Sequence, residues 1–411
     1  MKRNLHLASY FVVLLLVFTS CKKNSFDAPI HTNNLTYSSD PGYSLFVSAT
    51  EIGTFTQAQL QTVATQRGFG DFAPLIKYDV DFYKIVYKTM YKGSLINVSG
   101  LLCIPKGLPV PPPLLSAQHG TMFAYADAPS NFPLAFTGFE LFASAGFMTV
   151  IPDFIGYGAS QGIVHPYYDM QTSGATVADM LVAVKYYLKT KSIPISSKLF
   201  LVGYSEGGYV TMAAQKEIET NHALNLTLTA AAEGAGGYDI TGMLQKVGTL
   251  KTYPDPSFFA LFVQGYNTTY GYKRPLTNFF KEPYADEIPG LLNGTKNSTQ
   301  INAALTTSVT SLLNADFYCA LTTPGEETVF KAQVAANSFP NWFPISPTRL
   351  YHGTADEDVF FETSQTTYLR FLAEGAQNVT FIPIPGGTHE TSVEPMMLNV
   401  IAWFSALAQG V

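Results

Sequence analysis

"KLFLVGYSEGGYVTMAAQKEIE", residues 198–219, sets an apolar strand-forming run, "KLFLV", directly against a helix-compatible one, "YVTMAAQKEIE". Between them "GYSEG", residues 203–207, has the pattern G-x-S-x-G. In a strand–turn–helix unit of this kind the serine stands at the apex of a sharp, strained turn, and the glycines let neighbouring backbone approach closely. "GASQG", residues 158–162, has the same spacing without the same frame. Gly156 and Gly158 separate Ser160 from the apolar "TVIP", and "IVHPYY" with Pro166 opposes a following helix. Ser205 is the candidate nucleophile. Residues 153–162 are expected to form a loop beyond another strand, near the pocket.

The same rhythm extends to both sides. "PPLLSAQHGT", "GFMTVIPDFIGYG", "LTLTAAAEGAGG", "TRLYHGTADEDV" and "VTFIPIPGGTHE" are short apolar runs, each ending in a glycine-bearing loop. Helical patterns lie between several of them, as in "SGATVADMLVAVKYYLKTK" and "TSQTTYLRFLAEGA". Buried strands alternating with helices predict an α/β fold with a mostly parallel central sheet covered on both faces. In such a sheet the loops at the carboxyl ends of strands carry the functional groups. Ahead of this region "TQAQLQTVATQRG" has helical spacing, and "YKIVYKTMYKG" and "INVSGLLCIP" read as a hairpin turning at Gly93 and Ser94. Between residues 239 and 346 the rhythm stops in an aromatic-rich segment, and its "TQINAALTTSVTSLLNADFYCAL" looks helical. This segment is expected to be an inserted lid or cap over the strand ends.

The expected division is therefore a signal at 1–20, a polar tether at 21–50, a core at 51–238 and 347–411, and the cap at 239–346. The first 23 residues, "MKRNLHLASYFVVLLLVFTSCKK", pair a short positive region with an apolar run too short for an ordinary membrane span. The run ends in "FTSC", and the whole resembles a bacterial lipoprotein signal in which Cys21 is lipidated and becomes the new N-terminus. That resemblance implies an exported protein, lipid-anchored to a bacterial membrane and expected at the outer one. An ordinary cleaved signal with an incidental cysteine is the other reading.

Composition narrows the function classes. The 411 residues are 47% hydrophobic and only 13% charged, enough apolar content for a large folded core. A net charge of −6 with no basic cluster beyond the N-terminus argues against a nucleic-acid partner. The three cysteines, at 21, 103 and 319, form no zinc-type cluster, so no structural metal is expected. In an oxidising compartment Cys103 and Cys319 could pair, and the sequence leaves that open.

Taken in order, "QHGT", "PDFIGYGAS", "GYSEGG", "HGTADEDV" and "GGTHE" resemble the α/β-hydrolase superfamily, and within it the secretory-lipase-like esterases. The resemblance covers roughly residues 80–411 and implies the α/β-hydrolase fold with the catalytic order serine, acid, histidine. His389 is the histidine that follows both other members, while His352 falls before the acid and reads as structural. Asp356 stands where the family's H-G-x-x-D-x-x-V pattern puts the acid; Asp358 and Asp239 remain alternatives. The oxyanion donors implied are the backbone N–H groups of Glu206 and Thr121, with Gly120 as runner-up for the second. His119 and Asp153 are expected to shape loops.

The resulting expectation is a serine carboxylic ester hydrolase, lipase- or esterase-like, acting through Ser205, His389 and Asp356 on a small ester with no cofactor. An exopeptidase-type serine hydrolase, or a surface lipoprotein using the fold only for binding, are the alternatives. Acyl length, alcohol moiety and oligomeric state are not legible.

Overall fold

The computed structural model describes residues 40–410. The expected signal at 1–20 and the lipidation site Cys21 lie outside them. A nine-stranded sheet organises the chain in the order β1-β2-β3-β5-β4-β6-β7-β8-β9. β2 (Val80–Tyr91) and β3 (Ser94–Pro105) form the antiparallel hairpin, with Tyr91 opposite Ser94. The turn therefore falls on Lys92 and Gly93, both at positive φ (47° and 76°), one residue earlier than expected. Two residues of that conformation match the strand twist of a two-residue loop.

From β5 onward the sheet is parallel. β4 (Leu114–Gln118), β5 (Met148–Pro152), β6 (Leu199–Tyr204) and β7 (Ala230–Gly234) are buried at every residue. That is why their sequences read as unbroken apolar runs: helices cover both faces and leave no solvent side to carry polar residues. β8 (Thr348–Gly353) and β9 (Val379–Ile384) complete the sheet. Helices Met170–Thr190, Glu206–Thr220, Phe361–Glu374 and Val393–Gln409 flank it. This is the α/β-hydrolase fold.

The tether expected at 21–50 ends earlier. Gly42–Leu45 is helical and β1 (Phe46–Phe55) pairs antiparallel with β2. β1 lies at the sheet's edge, so its side chains are only half-covered and its polar "SATE" gave no apolar signal. The stretch 299–321 is helical as expected, in three pieces. It forms Ser298–Ala304, Val309–Leu312 and Ala315–Thr322, because Asn297, Ser308 and Asn314 each cap a fresh N-terminus with their side chains. Cys103 is buried in β3 and Cys319 exposed on helix Ala315–Thr322, and both are free thiols.

Residues 239–346 enter between β7 and β8 and are mainly helical. Asn337, almost fully buried, ties the end of this segment to the core. Its carbonyl oxygen Oδ1 accepts from Met170 N at 2.9 Å, and its Nδ2 donates to Tyr266 and Tyr270 hydroxyls at 3.0 and 2.6 Å. Tyr209, on helix Glu206–Thr220 just past the serine turn, or elbow, donates to its backbone carbonyl at 2.9 Å. Asn337→Ala would strand several of these buried groups, at about 3 kcal/mol. The expected result is a thermal midpoint lower by roughly 4 °C; an unchanged midpoint in a calorimetric scan would contradict the tie.

Candidate active site

Ser205 follows β6 with φ 60° and ψ −125°, and helix Glu206–Thr220 starts at the next residue. A non-glycine residue in that region costs about 1–3 kcal/mol and persists only when its surroundings enforce it. Here the enforcement is steric. A Cβ on Gly203 would lie 2.1 Å from Gly207 O, and one on Gly207 would lie 1.9 Å from Gln118 O. A Cβ on Gly208 would meet Gly234 O at 2.3 Å. The elbow is wedged between β4 and β7, and Ser205 N–H donates to Gly234 O at 2.8 Å.

Three distant side chains meet at this apex. Ser205 Oγ–H donates to His389 Nε2 at 2.8 Å, and His389 Nδ1–H donates to Asp356 Oδ2 at 2.7 Å. Tyr204 Oη–H donates to His389 O at 2.6 Å, which fixes the backbone of the histidine loop. Asp356 Oδ1 accepts from the amides of Asp358 and Val359 at 3.0 and 2.9 Å. His352 lies wholly buried behind it, with Nε2 3.2 Å from Asp356 Oδ2. Burial alone would raise the Asp356 carboxyl, but the hydrogen bonds from His352 and His389 outweigh it and hold the value at about 2. The stability linked to this ionisation is present above the ordinary carboxylate range and is lost only as pH falls towards that value.

The rival residues have other work. Asp239 caps helix Ile240–Val247, accepting from Gly242 N at 2.9 Å. Asp358 faces Asp255 from the inserted segment, and burial together with that second carboxyl pushes its own carboxyl up. Ser160 Oγ accepts from Gly156 N and donates to Tyr157 O, both at 2.9 Å, so it locks its own loop. Asp153 accepts from Ser99 Oγ at 2.5 Å and Ser130 N at 2.8 Å. His119 Nδ1 bonds Gly120 O at 2.7 Å.

Gly120 lies beside the apex, its Cβ position 3.6 Å from Ser205 Cβ, and Thr121 follows it. Thr121 Oγ1 and Tyr167 Oη are hydrogen-bonded at 2.9 Å. Glu206 begins the elbow helix, whose first N–H groups have no partner within the helix itself. Its carboxylate, to which sequence reasoning gave no role, receives His165 Nε2–H at 2.5 Å. The visible signals were a histidine in "IVHPYY" and an acid inside the elbow motif, but nothing local joined them.

A largely apolar pocket opens on Ser205. Tyr167 and Tyr168 line it from the core, and Met243, Val247, Phe259 and Phe262 from the inserted segment. Asp356, Asp358 and His389 also cluster closely enough to hold a cation, but two of the three are already bonded to each other in the relay.

A model of the secretory lipase family matches residues 140–410, a span that includes Ser205, Asp356 and His389. Among solved structures, one of a Legionella pneumophila protein aligns with a TM-score of 0.80 at 25% identity, covering 88% of this chain and 97% of its own. The rice cell wall degrading esterase LipA of Xanthomonas oryzae aligns at 0.74 with 24% identity, covering 87% and 96%. Candida antarctica lipase A in its closed state aligns at 0.66 with 17% identity, covering 90% and 86%. The latter two likenesses bear on fold alone. No curated protein sequence matches the chain.

The acid assignment has a direct test. Asp356→Asn is expected to lower the turnover of p-nitrophenyl butyrate by about 10⁴-fold, since the amide favours the wrong histidine tautomer. Asp358→Asn should stay within about tenfold of the parent protein. The reverse ranking would move the acid to Asp358.

Proposed function

The chain belongs to the secretory lipase family, and as such is a serine hydrolase of the carboxylesterase/lipase type; on that premise we propose that Ser205, His389 and Asp356 are its catalytic triad. His389 Nε2 takes the Ser205 proton as Oγ attacks the ester carbonyl. Asp356 holds the imidazole in the required tautomer and offsets its positive charge. The carbonyl oxygen becomes an oxyanion held by the N–H groups of Glu206 and Thr121. His389 then protonates the leaving alcohol, and an acyl group remains on Oγ. Water, deprotonated by the same imidazole, attacks the acyl-enzyme; the acid leaves and Ser205 recovers its proton. The unbroken Ser205–His389–Asp356 hydrogen-bonded relay at the mouth of an apolar pocket carries this reading.

The same reading makes residues 239–346 a cap whose apolar side chains cover an acyl chain. Its substrate is an ester with an aliphatic or aromatic acyl group, and Phe258, Phe259 and Phe262 lie along the expected acyl path. Export follows from the family. Lipidation of Cys21, with anchoring to a membrane, extends that proposal to residues outside those described here. Among the described residues no helix is long and apolar enough to cross a membrane. Incorporation of labelled palmitate that disappears in Cys21→Ala checks the anchor.

Ser205→Ala is expected to reduce p-nitrophenyl butyrate hydrolysis by about 10⁴-fold or more, and Ser160→Ala by less than tenfold. Loss of activity only in Ser160→Ala would reverse the choice of nucleophile. Because each buried methylene contributes about 0.8 kcal/mol, kcat/KM should rise roughly tenfold from the acetyl to the butyryl ester. A flat acyl series, or faster cleavage of aminoacyl p-nitroanilides, would point away from an acyl-binding esterase.

A further inference from the structure

The loop between β5 and helix Met170–Thr190 carries the unproductive "GASQG" motif, and it also reaches both segments expected to supply oxyanion donors. His165 Nε2 lies 2.5 Å from Glu206 Oε1, and Tyr167 Oη lies 2.9 Å from Thr121 Oγ1. Phe154, at the start of the loop, packs its ring 4.1 Å from that of His119 and nearly parallel to that of His165 at 6.2 Å. The loop thus spans from the turn after β4 to the first residue of the elbow helix.

We propose that His165 is a positioning residue for ester hydrolysis, cancelling the charge of Glu206 and clamping the first turn of the elbow helix so that the Glu206 N–H faces the forming oxyanion. The inference rests on the triad reading above and extends it. Glu206 and His165 are only 2% and 8% exposed, so water does little to screen the carboxylate. A carboxylate on the residue whose amide must stabilise a negative oxygen works against catalysis unless a cation neutralises it. His165 supplies that cation by geometry: Nδ1 is 2.6 Å from Ile155 O and Nε2 faces a carboxylate, so both ring nitrogens point at acceptors and both carry protons. Gly265, on the inserted helix Pro256–Thr269, packs against the His165 carbonyl, its Cβ position only 3.1 Å away, and so closes the other side.

The pair is pH-sensitive with a defined sign. Burial by itself would lower the His165 value, but the charge and hydrogen bond of Glu206 and the Ile155 carbonyl raise it above the ordinary imidazole range. The pair is therefore intact below the ordinary imidazole range and is lost as pH rises through the raised value. The neighbours facing His165 are Glu206 from the elbow helix, His119 from the turn after β4, and Tyr157 and Tyr167 from its own loop. On the inserted helix the neighbouring Gln264 carries no charge. Of these groups only Glu206 accepts a ring proton. Once His165 is neutral and keeps its proton towards Ile155, its bare Nε2 and the carboxylate are two acceptors face to face.

The test is steady-state hydrolysis of p-nitrophenyl butyrate by the full chain, normalised to sites titrated with a fluorophosphonate. His165→Gln should lose about 10²-fold in kcat with KM nearly constant, as when an oxyanion donor is misplaced. Adding Glu206→Gln to that variant removes the uncompensated charge and should restore about tenfold. Wild-type kcat should fall on the alkaline side, and that fall should vanish in Glu206→Gln, where a neutral His165 can accept from the new amide. A His165→Gln kcat within threefold of wild type, or a double variant no faster than His165→Gln, overturns the proposal. If His165→Gln does not fold, the Glu206→Gln pH profile decides alone, and an unchanged alkaline fall overturns the proposal. Failure of the fluorophosphonate to label wild-type Ser205 would instead remove the triad reading; labelling with an indifferent His165→Gln removes only this one.

Discussion

The structure turns on one backbone conformation, the left-handed φ of Ser205. Nothing in serine favours it, so the surroundings must impose it. They do so by backbone contact. The elbow glycines abut the carbonyls of Gln118, Gly207 and Gly234, at distances that leave no room for any Cβ. Those carbonyls belong to the ends of β4 and β7 and to the elbow helix itself, so the turn is held by the sheet around it. Burying four adjacent strands completely makes that assembly rigid and gives the strained turn a fixed base.

Around this apex the side chains of the relay are closely held. Asp356 is held by two amides and two histidines, and His352 behind it has its other nitrogen on Ser364 at 2.6 Å. Beside the elbow, Glu206 and His165 face each other. This matters because the interior around the site is largely aromatic and aliphatic, where an unpaired charge would be costly and would distort the field at the reacting carbonyl. The pocket opposite is apolar in part because the inserted segment contributes phenylalanines to its lining.

Much of this was legible in the sequence where the signal is local. The strand before Ser205 and the helix after it are contiguous, so "KLFLVGYSEGG" announced the turn, while "GASQG" lacked both neighbours. Continuous apolar runs marked the buried parallel strands. The order of Asp356 and His389 behind Ser205 singled out the side chains that the fold brings within hydrogen-bond distance. The misses are non-local or polar. β1 is an edge strand with half-exposed side chains, and its pairing with β2 rather than its composition makes it a strand. His165 and Glu206 stand 41 residues apart, and only the packing of their loop onto the elbow helix brings them together.

In the proposed mechanism this strained turn places a nucleophile and two amide donors around one reacting atom. A crystal structure of the protein inactivated by an alkyl phosphonate tests it most directly. Phosphorus bonded to Ser205 Oγ is expected, with the phosphonyl oxygen about 2.7–3.1 Å from the amide nitrogens of both Glu206 and Thr121 and the alkyl group lying along the apolar pocket. Phosphorus on another residue, or an adduct whose oxygen meets neither amide, would contradict it.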